Sequence, residues 1–340
     1  MQTRMRAEVL EIPDSVERLL HNGTIDIIAG GKALADLGPA FLVSVARGSS
    51  DHVATYLKYA SELLLGIPMA SVGPSVASIY HAPLHLNSAA VIVVSQSGQS
   101  PDIVEMARAG KTAGALSFAL TNDPASPLAQ TCTYTLNIHA GPERSVAATK
   151  TFVNSAVAGL LLLAEWKGDS ALRNAIHALP EALSRAAEID WPELRNAVAG
   201  HDSLYTLGRG PGFAISNEAA LKFKETCQIH AESYSSAEVL HGPVSIVGKG
   251  FPTLALAAKD AAEAALVEVA DQIATKGATV FVTSDKAKNA CKLPCVRTGH
   301  PLTDPLALIV SFYAMVERVA RARGINPDTP RHLKKVTETL

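Results

Sequence analysis

The chain has 340 residues, 48% of them hydrophobic, 18% charged and 5% aromatic, with a net charge of −2. That length and composition fit two globular domains of roughly 100–200 residues each with sizeable cores, and the near-neutral charge gives no reason to expect a nucleic-acid or membrane-surface partner. No apolar N-terminal leader and no run of about 20 apolar residues is present, so neither a signal peptide nor a membrane span is expected, and a reduced, cytoplasmic setting follows. Residues 1–37 read as mostly helical, with Asp14-Ser15-x-Glu17 resembling a capping box. A buried strand is expected at 41–46, then the loop Arg47-Gly48-Ser49-Ser50 and a long helix to about Leu65. After a short strand near 70–72 comes the fully apolar run Ala89–Val94, the sequence signature of a buried parallel strand. It leads into Ser95-Gln96-Ser97-Gly98-Gln99-Ser100 and then Pro101, where Ser100 is placed to cap a helix. A strand, a hydroxyl-rich loop and a helix start offer backbone N–H groups and a positive dipole end to an anion. No Walker lysine is present, so a single phosphate on a small molecule fits better than a nucleoside triphosphate. The same six residues also read as an ordinary serine-rich turn.

Strands at 115–120 and 133–138, a polar loop at 143–150 and an apolar helix at 151–166 complete the first alternation. Alternating strands and helices of these lengths imply a doubly wound parallel sheet, an α/β fold. Residues 170–199 read as helical connectors broken at Pro180 and Pro192, and then the pattern restarts with a strand at 203–207. Arg47 and Arg209 lie 162 residues apart, as do Thr121-Asn122-Asp123 and Thr283-Ser284-Asp285. One offset kept across several landmarks implies an internal duplication. Where the first half has its serine run, the second has Ala257-Ala258-Lys259-Asp260, so phosphate recognition is expected in the first half alone. The division expected is a helical segment at 1–30, domains at 31–167 and 201–323 with a connector at 168–200, and a tail at 324–340.

In the second half Glu218, Lys222 and Glu225 fall on one helix face. Spacing alone also allows a solvated salt-bridged face. His230-x-Glu232 and Glu238-x-x-His241-Gly242-Pro243 place histidines and acids in what reads as a Ser-rich loop. A loop histidine near acids suits proton transfer. The tail carries Arg331-His332-Leu333-Lys334-Lys335, where Leu333 and Val336 are expected to anchor the chain and a partly desolvated lysine could act as an amine nucleophile. The four cysteines are read as reduced thiols, and Cys291-x-x-x-Cys295 lacks the further ligands a metal would need.

Taken together, the loop at 95–100, Gly141-Pro142-Glu143 with Thr149-Lys150, Leu207-Gly208-Arg209-Gly210, the block from Glu218 through Tyr234 to Pro243, and the ending Pro330-Arg331-x-Leu333-x-Lys335 resemble the isomerase half of the glucosamine-6-phosphate synthases. That half is two tandem sugar-isomerase (SIS) domains, and it also resembles the stand-alone sugar-phosphate deaminases. The resemblance covers essentially the whole chain from the linker-like stretch Met5–Pro13 onward. It implies two flavodoxin-like three-layer α/β/α domains. It also implies that Ser50, Ser95, Gln96, Ser97 and Ser100, with Gly98 and the flanking Arg47, Gly48 and Ser49, hold the phosphate and hydroxyls of a sugar. Val146 and Ala148 would lie beside that sugar. Glu225 would carry the proton between C1 and C2, in a dry pocket. His241 would open the ring, reaching the site from the partner subunit of a homodimer. Lys335 matches an imine-forming lysine, and Lys222 and Glu218 would line the pocket.

Two departures bear on the substrate. Arg47 stands where the synthases have a small residue or cysteine and could add charge beside the phosphate, and Ala148 stands where they have serine. No glutaminase domain or N-terminal nucleophilic cysteine is expected, because Met1 is followed by Gln2. The leading expectation is therefore an amino-sugar phosphate deaminase converting glucosamine 6-phosphate and water to fructose 6-phosphate and ammonia, without a metal or cofactor. The alternatives are a deglycase or isomerase of another 6-phosphosugar, and a sugar-phosphate sensor. A sensor needs the serine loop but not Glu225, His241 and Lys335.

Overall fold

A computed structural model describes residues 2–335. Helices α1 (Arg4–Leu10), α2 (Ile12–Asn22) and α3 (Thr24–Leu37) lead into β1 (Phe41–Val45), α4 (Ser49–Leu65), β2 (Met69–Ser71), α5 (Ser75–Ser78), β3 (Ala89–Val94) and α6 (Pro101–Thr112). Then come β4 (Leu116–Thr121), α7 (Pro127–Thr131), β5 (Tyr134–Asn137), α8 (Lys150–Lys167), α9 (Ser170–His177), α10 (Leu179–Glu188) and α11 (Pro192–Ala199). Pro180 and Pro192 sit in the first turns of α10 and α11, where a missing N–H costs nothing. The second series is β6 (Ser203–Gly208), α12 (Pro211–Cys227), β7 (His230–Ser235), β8 (Pro252–Ala255), α13 (Glu263–Thr275), β9 (Thr279–Val282), β10 (Cys291–Lys292) and α14 (Asp304–Ala322). No helix among the described residues is long and apolar enough to cross a membrane.

The chain forms two compact units. One comprises residues up to Pro13, Arg144–Thr149 and Ala178–Leu333; the other comprises Asp14–Glu143 and Lys150–His177 with Lys334 and Lys335. The units interleave in sequence.

In the unit holding β1 the sheet order is β2-β1-β3-β4-β5, with every pairing parallel. All six residues of β3 are buried, as a strand covered on both faces requires. Ile103, Met106 and Ala107 of α6 pack on Val43, Val91 and Val93 from one side. α3, α4 and the almost wholly buried α8 pack together in the same unit. In the other unit the order is β10-β9-β8-β6-β7, again parallel throughout. Leu266, Ala270 and Ile273 of α13 pack on Leu207, Val280 and Val282.

The two sheets are one design used twice. Val43 pairs with Ala70 and Val91, and the residue 162 positions on, Tyr205, pairs with Glu232 and Thr253, the same offset on both sides. Helices α4 and α12 span residues 49–65 and 211–227, again 162 apart. Each follows a glycine in nearly the same backbone conformation, Gly48 at φ 55, ψ −133 and Gly210 at φ 55, ψ −135, a region that disfavours any residue with a Cβ.

Three local expectations need correction. α2 begins at Ile12, so Asp14 lies in its first turn and Ser15, inside the helix, donates from Oγ to Asn154 Oδ1 at 2.8 Å rather than capping. His230 and Glu232 are not in a loop but on β7, which pairs with β6 over its whole length. Leu333 is 43% exposed, so it is not the buried anchor expected. The tail is fixed instead by Asp328, whose carboxylate accepts from the backbone N–H groups of Arg4 (2.9 Å) and Met5 (2.8 Å), the positive end of α1. Val336 lies outside the described residues.

Candidate active site

The serine loop leaves β3 at its C-terminal end, the place where open parallel sheets bind ligands. It is shaped by its own side chains. Ser95 Oγ accepts the Gly98 N–H at 3.2 Å, Ser97 Oγ accepts the Gln99 N–H at 3.3 Å, and the Gln96 carbonyl accepts the Asn122 N–H at 3.0 Å. Gly98 turns the chain at φ 62, and a Cβ there would lie 2.2 Å from Ser126 Oγ, so no larger residue fits. Ser100 occupies the N-cap position of α6 with extended backbone, but its hydroxyl makes no capping bond, contrary to expectation. The backbone N–H groups of Ser97 and Ser100 have no hydrogen-bond partner among the described residues. Hydroxyls, spare N–H donors and the start of α6 thus converge where an anion can be held.

Ser49 and Ser50 begin α4 at the end of the neighbouring strand β1. Asp51 follows them, and burial raises its carboxyl pKa, an effect His52 and Arg47 offset in part. Arg47 does not stand as an unengaged charge for the phosphate. Its Nη2 and Nε donate to Asp102 Oδ2 at 2.9 and 3.2 Å, and Asp102 is buried in the first turn of α6. The guanidinium first neutralises that carboxylate.

In the other unit, the face of α12 expected from spacing is real but not solvated. Lys222 and Glu218 are fully buried, and Lys222 Nζ lies 3.1 Å from Glu218 Oε1 and 2.5 Å from Glu225 Oε2. Tyr313 of α14 donates its hydroxyl to Glu218 Oε1 at 3.0 Å. Burial alone would lower the Lys222 pKa, but the two carboxylates outweigh it and raise the pKa, so the ammonium is held charged. Of the three, only Glu225 reaches the surface, at 19% exposure. Glu225 thus has a close ammonium on one side and a partly open face on the other.

His241 ends a short helical turn, Glu238–His241, and is exposed, beside Gly242 at φ 148. Val146 and Ala148 sit in the half-buried loop 144–149 of this same unit, where Glu8 Oε1 accepts the N–H groups of Arg144 (2.5 Å) and Ser145 (3.2 Å). In the unit with the serine loop, Lys335 Nζ lies 2.6 Å from Glu143 Oε2, whose side chain is fully buried and also accepts from Thr151 N–H and Oγ1 at 3.1 and 2.7 Å. Tyr313, Asp102, Thr151 and Asp328 carried no assigned role in the sequence. The partners of Asp102, Tyr313 and Asp328 are 55, 95 and more than 300 residues away, and although Thr151 lies only eight residues from Glu143, no regular element spans the two to mark the pairing. Glu143 was visible only as part of a motif.

A family model for the SIS domain matches residues 42–165 and 198–315. The chain belongs to the SIS-domain family. The glutamine–fructose-6-phosphate aminotransferase (isomerizing) of Symbiobacterium thermophilum is 31% identical over 97% of this SIS chain and 58% of its own length. The protein of that name from Aeropyrum pernix is 32% identical over 88% of this chain and 51% of its own. The chain therefore spans about half the length of these curated relatives. A solved structure from Silicibacter pomeroyi DSS-3, described as a candidate phosphosugar isomerase, is 63% identical, with a TM-score of 0.94 over 96% of this chain and all of that one. The glucosamine-6-phosphate deaminase of Thermotoga maritima superposes with a TM-score of 0.79 at 19% identity, covering 99% of this chain and 100% of that one, a likeness of fold.

The site residues fall into two sets within this SIS chain. Arg47–Ser50, Ser95–Ser100 and Lys335 belong to one unit, and Val146, Ala148, Glu218, Lys222, Glu225 and His241 to the other.

Proposed function

We propose that the protein is a phosphosugar isomerase of the SIS family and, in finer terms, a deaminase that converts glucosamine 6-phosphate and water to fructose 6-phosphate and ammonia. The observation that carries the reading is the Glu218–Lys222–Glu225 group, in which a buried, charged lysine orients one carboxylate that remains reachable from outside. A sugar-phosphate sensor has no use for that arrangement. The similarity to the Silicibacter pomeroyi structure supports the isomerase level of the reading.

The serine loop takes the phosphate through Ser95, Ser97 and Ser100. His241 assists ring opening, which exposes the C1 aldehyde. The adjacent carbonyl acidifies the C2 hydrogen, and Glu225 removes it. The electron pair forms a C1–C2 double bond. Return of the proton to C1 moves the unsaturation to the C2–nitrogen bond, and water then replaces nitrogen, releasing fructose 6-phosphate and ammonia. No enzyme-bound imine is needed on this route, which agrees with a Lys335 ammonium committed to Glu143. Lys335→Ala is accordingly expected to cost less activity than Glu225→Gln. The test is ammonia release from glucosamine 6-phosphate, together with exchange of its C2 hydrogen with solvent. Exchange without ammonia would leave an isomerase and remove the deaminase, and neither would remove both.

We also propose a homodimer in which His241 acts in the partner's site. Exposed His241 shares its loop with Leu240 and Ile246, 40% and 59% exposed, a surface suited to burial between subunits. Mixing inactive His241→Ala and Glu225→Gln chains should restore activity by rebuilding one site per hybrid. No recovery after confirmed subunit exchange would place His241 in its own chain's site.

A further inference from the structure

The second half carries a cavity that the proposed reaction does not use. It measures about 690 Å³ and lies beyond the C-terminal ends of β8, β9 and β10. Its walls include Lys259, Lys286, Lys292 and Arg297, against two carboxylates, Glu263 and Asp285. The carboxylates do not cancel the cations. Lys286 pairs with buried Glu263, and Arg297 is turned by Asp304, which lies 2.6 Å from its Nη1. Lys259 and Lys292 are exposed and have no ion-pair partner among the described residues. With Asp304 counted beside Glu263 and Asp285, four cations face three carboxylates, so the site keeps an excess of one positive charge, with Lys259 and Lys292 as its unpaired cations.

The position is not arbitrary. Lys259 is the residue 162 positions after Ser97, so the cavity stands over the second copy of the strand end that carries the serine loop in the first. Its backbone N–H is already donated to Asp304 Oδ2 at 2.8 Å, which closes the backbone cradle and leaves the lysine side chains as the donors. The volume falls in the range of small-molecule pockets, roughly 300–1,000 Å³, and is far more than a bare phosphate fills.

We propose that this cavity binds a phosphorylated small molecule, its dianionic phosphate held between Lys259 and Lys292, as an effector site separate from the serine loop. This departs from the expectation that phosphate is recognised in the first half alone. It does not rest on the deaminase reading, because binding is measured without turnover.

The test uses the full chain carrying Ser97→Ala/Ser100→Ala, which disables the first loop, titrated calorimetrically with fructose 6-phosphate, AMP and inorganic phosphate. One of the two esters is expected to bind, more tightly than inorganic phosphate, and to weaken at least tenfold when Lys259→Ala/Lys292→Ala is added. Which ester binds better distinguishes a sugar phosphate from a nucleotide. No ester binding, binding no tighter than inorganic phosphate, or binding indifferent to the two lysines overturns the proposal. The lysines are exposed, so their removal does not threaten folding. A wild-type crystal soaked with the better ester gives an independent reading: density between Lys259 and Lys292 supports the site, and density confined to residues 95–100 refutes it.

Discussion

At Ser97 the backbone N–H has no partner among the described residues; 162 residues later, the N–H of Lys259 is donated to the Asp304 carboxylate at 2.8 Å. The two loops leave equivalent strands, yet one leaves its donor without a partner among the described residues and the other has supplied an anion from its own chain. The helices differ in the opposite sense. Positions 56, 60 and 63 of α4 hold Tyr, Ala and Leu, whereas the equivalent positions 218, 222 and 225 of α12 hold Glu, Lys and Glu. Tyr56 and Ala60 are buried and Leu63 is 66% exposed, so those positions need no charge to fold. On the proposed function, the duplicated scaffold divides the work of the reaction, with the substrate phosphate assigned to the serine loop of the first copy and the proton transfer to α12 of the second. The first copy forms the same helix with no charge at these positions, and the proposed function gives the α12 charges a role.

The sharpest way to break that division is Glu225→Gln, which keeps size and hydrogen bonding and removes the base. General base catalysis is worth about 10²–10⁴-fold, so kcat for glucosamine 6-phosphate should fall by that factor with little change in KM. Turnover near the wild-type rate would return the α12 charges to a structural role.

Next comes Lys222→Met, which leaves buried Glu218 without its cation. Breaking a buried ion pair from one side costs about 3–5 kcal/mol, to be read from urea unfolding. A loss below about 1 kcal/mol would mean that the group behaves as a surface pair. The sign with pH follows from the raised Lys222 pKa. Its stabilisation is complete below the ordinary lysine value of about 10.4 and is lost as pH rises past that value toward the folded one. The wild type should therefore lose stability above about pH 10 more steeply than Lys222→Met does.

The loop half of the comparison is sharpened by Ser97→Ala and Ser100→Ala. A hydrogen bond to a charged group is worth about 1.5–3 kcal/mol, so each change should raise KM by roughly 10- to 100-fold while kcat moves less. An unchanged KM would reduce the loop to an ordinary turn.

Much of this was legible in the sequence, because period and turn chemistry are local. β3, α6 and the repeat offset could be read from apolar runs and glycines, and the α12 face from its spacing. Burial was not legible: the same i, i+4, i+7 pattern serves a solvated face, and only the packing of α14, with Tyr313 on Glu218, decides the matter. β7 was missed because His230, Glu232, Ser233 and Ser235 are polar for a strand, and its tertiary place beside β6 overrides propensity. The tail's anchors were invisible because Asp328 bonds to residues more than 300 positions away.

The smallest effect belongs to Arg47, and it tests whether the first loop works by hydrogen bonding or by net charge. The guanidinium is half exposed and spends its fork on Asp102, so it offers a phosphate a screened and largely neutralised charge. A half-exposed pair contributes about 0–1 kcal/mol. Arg47→Ala should therefore raise KM by no more than about fivefold, well short of the serine variants, and leave kcat unchanged. Its clearer signature is elsewhere. Asp102 is 1% exposed and would lose its cation, so the variant should melt earlier than wild type, and an Arg47→Ala/Asp102→Asn double variant should recover part of the loss. A KM rise matching that of Ser97→Ala would put Arg47 among the phosphate ligands and make charge, not the serine hydroxyls and the spare N–H groups, the basis of the first copy's specialisation.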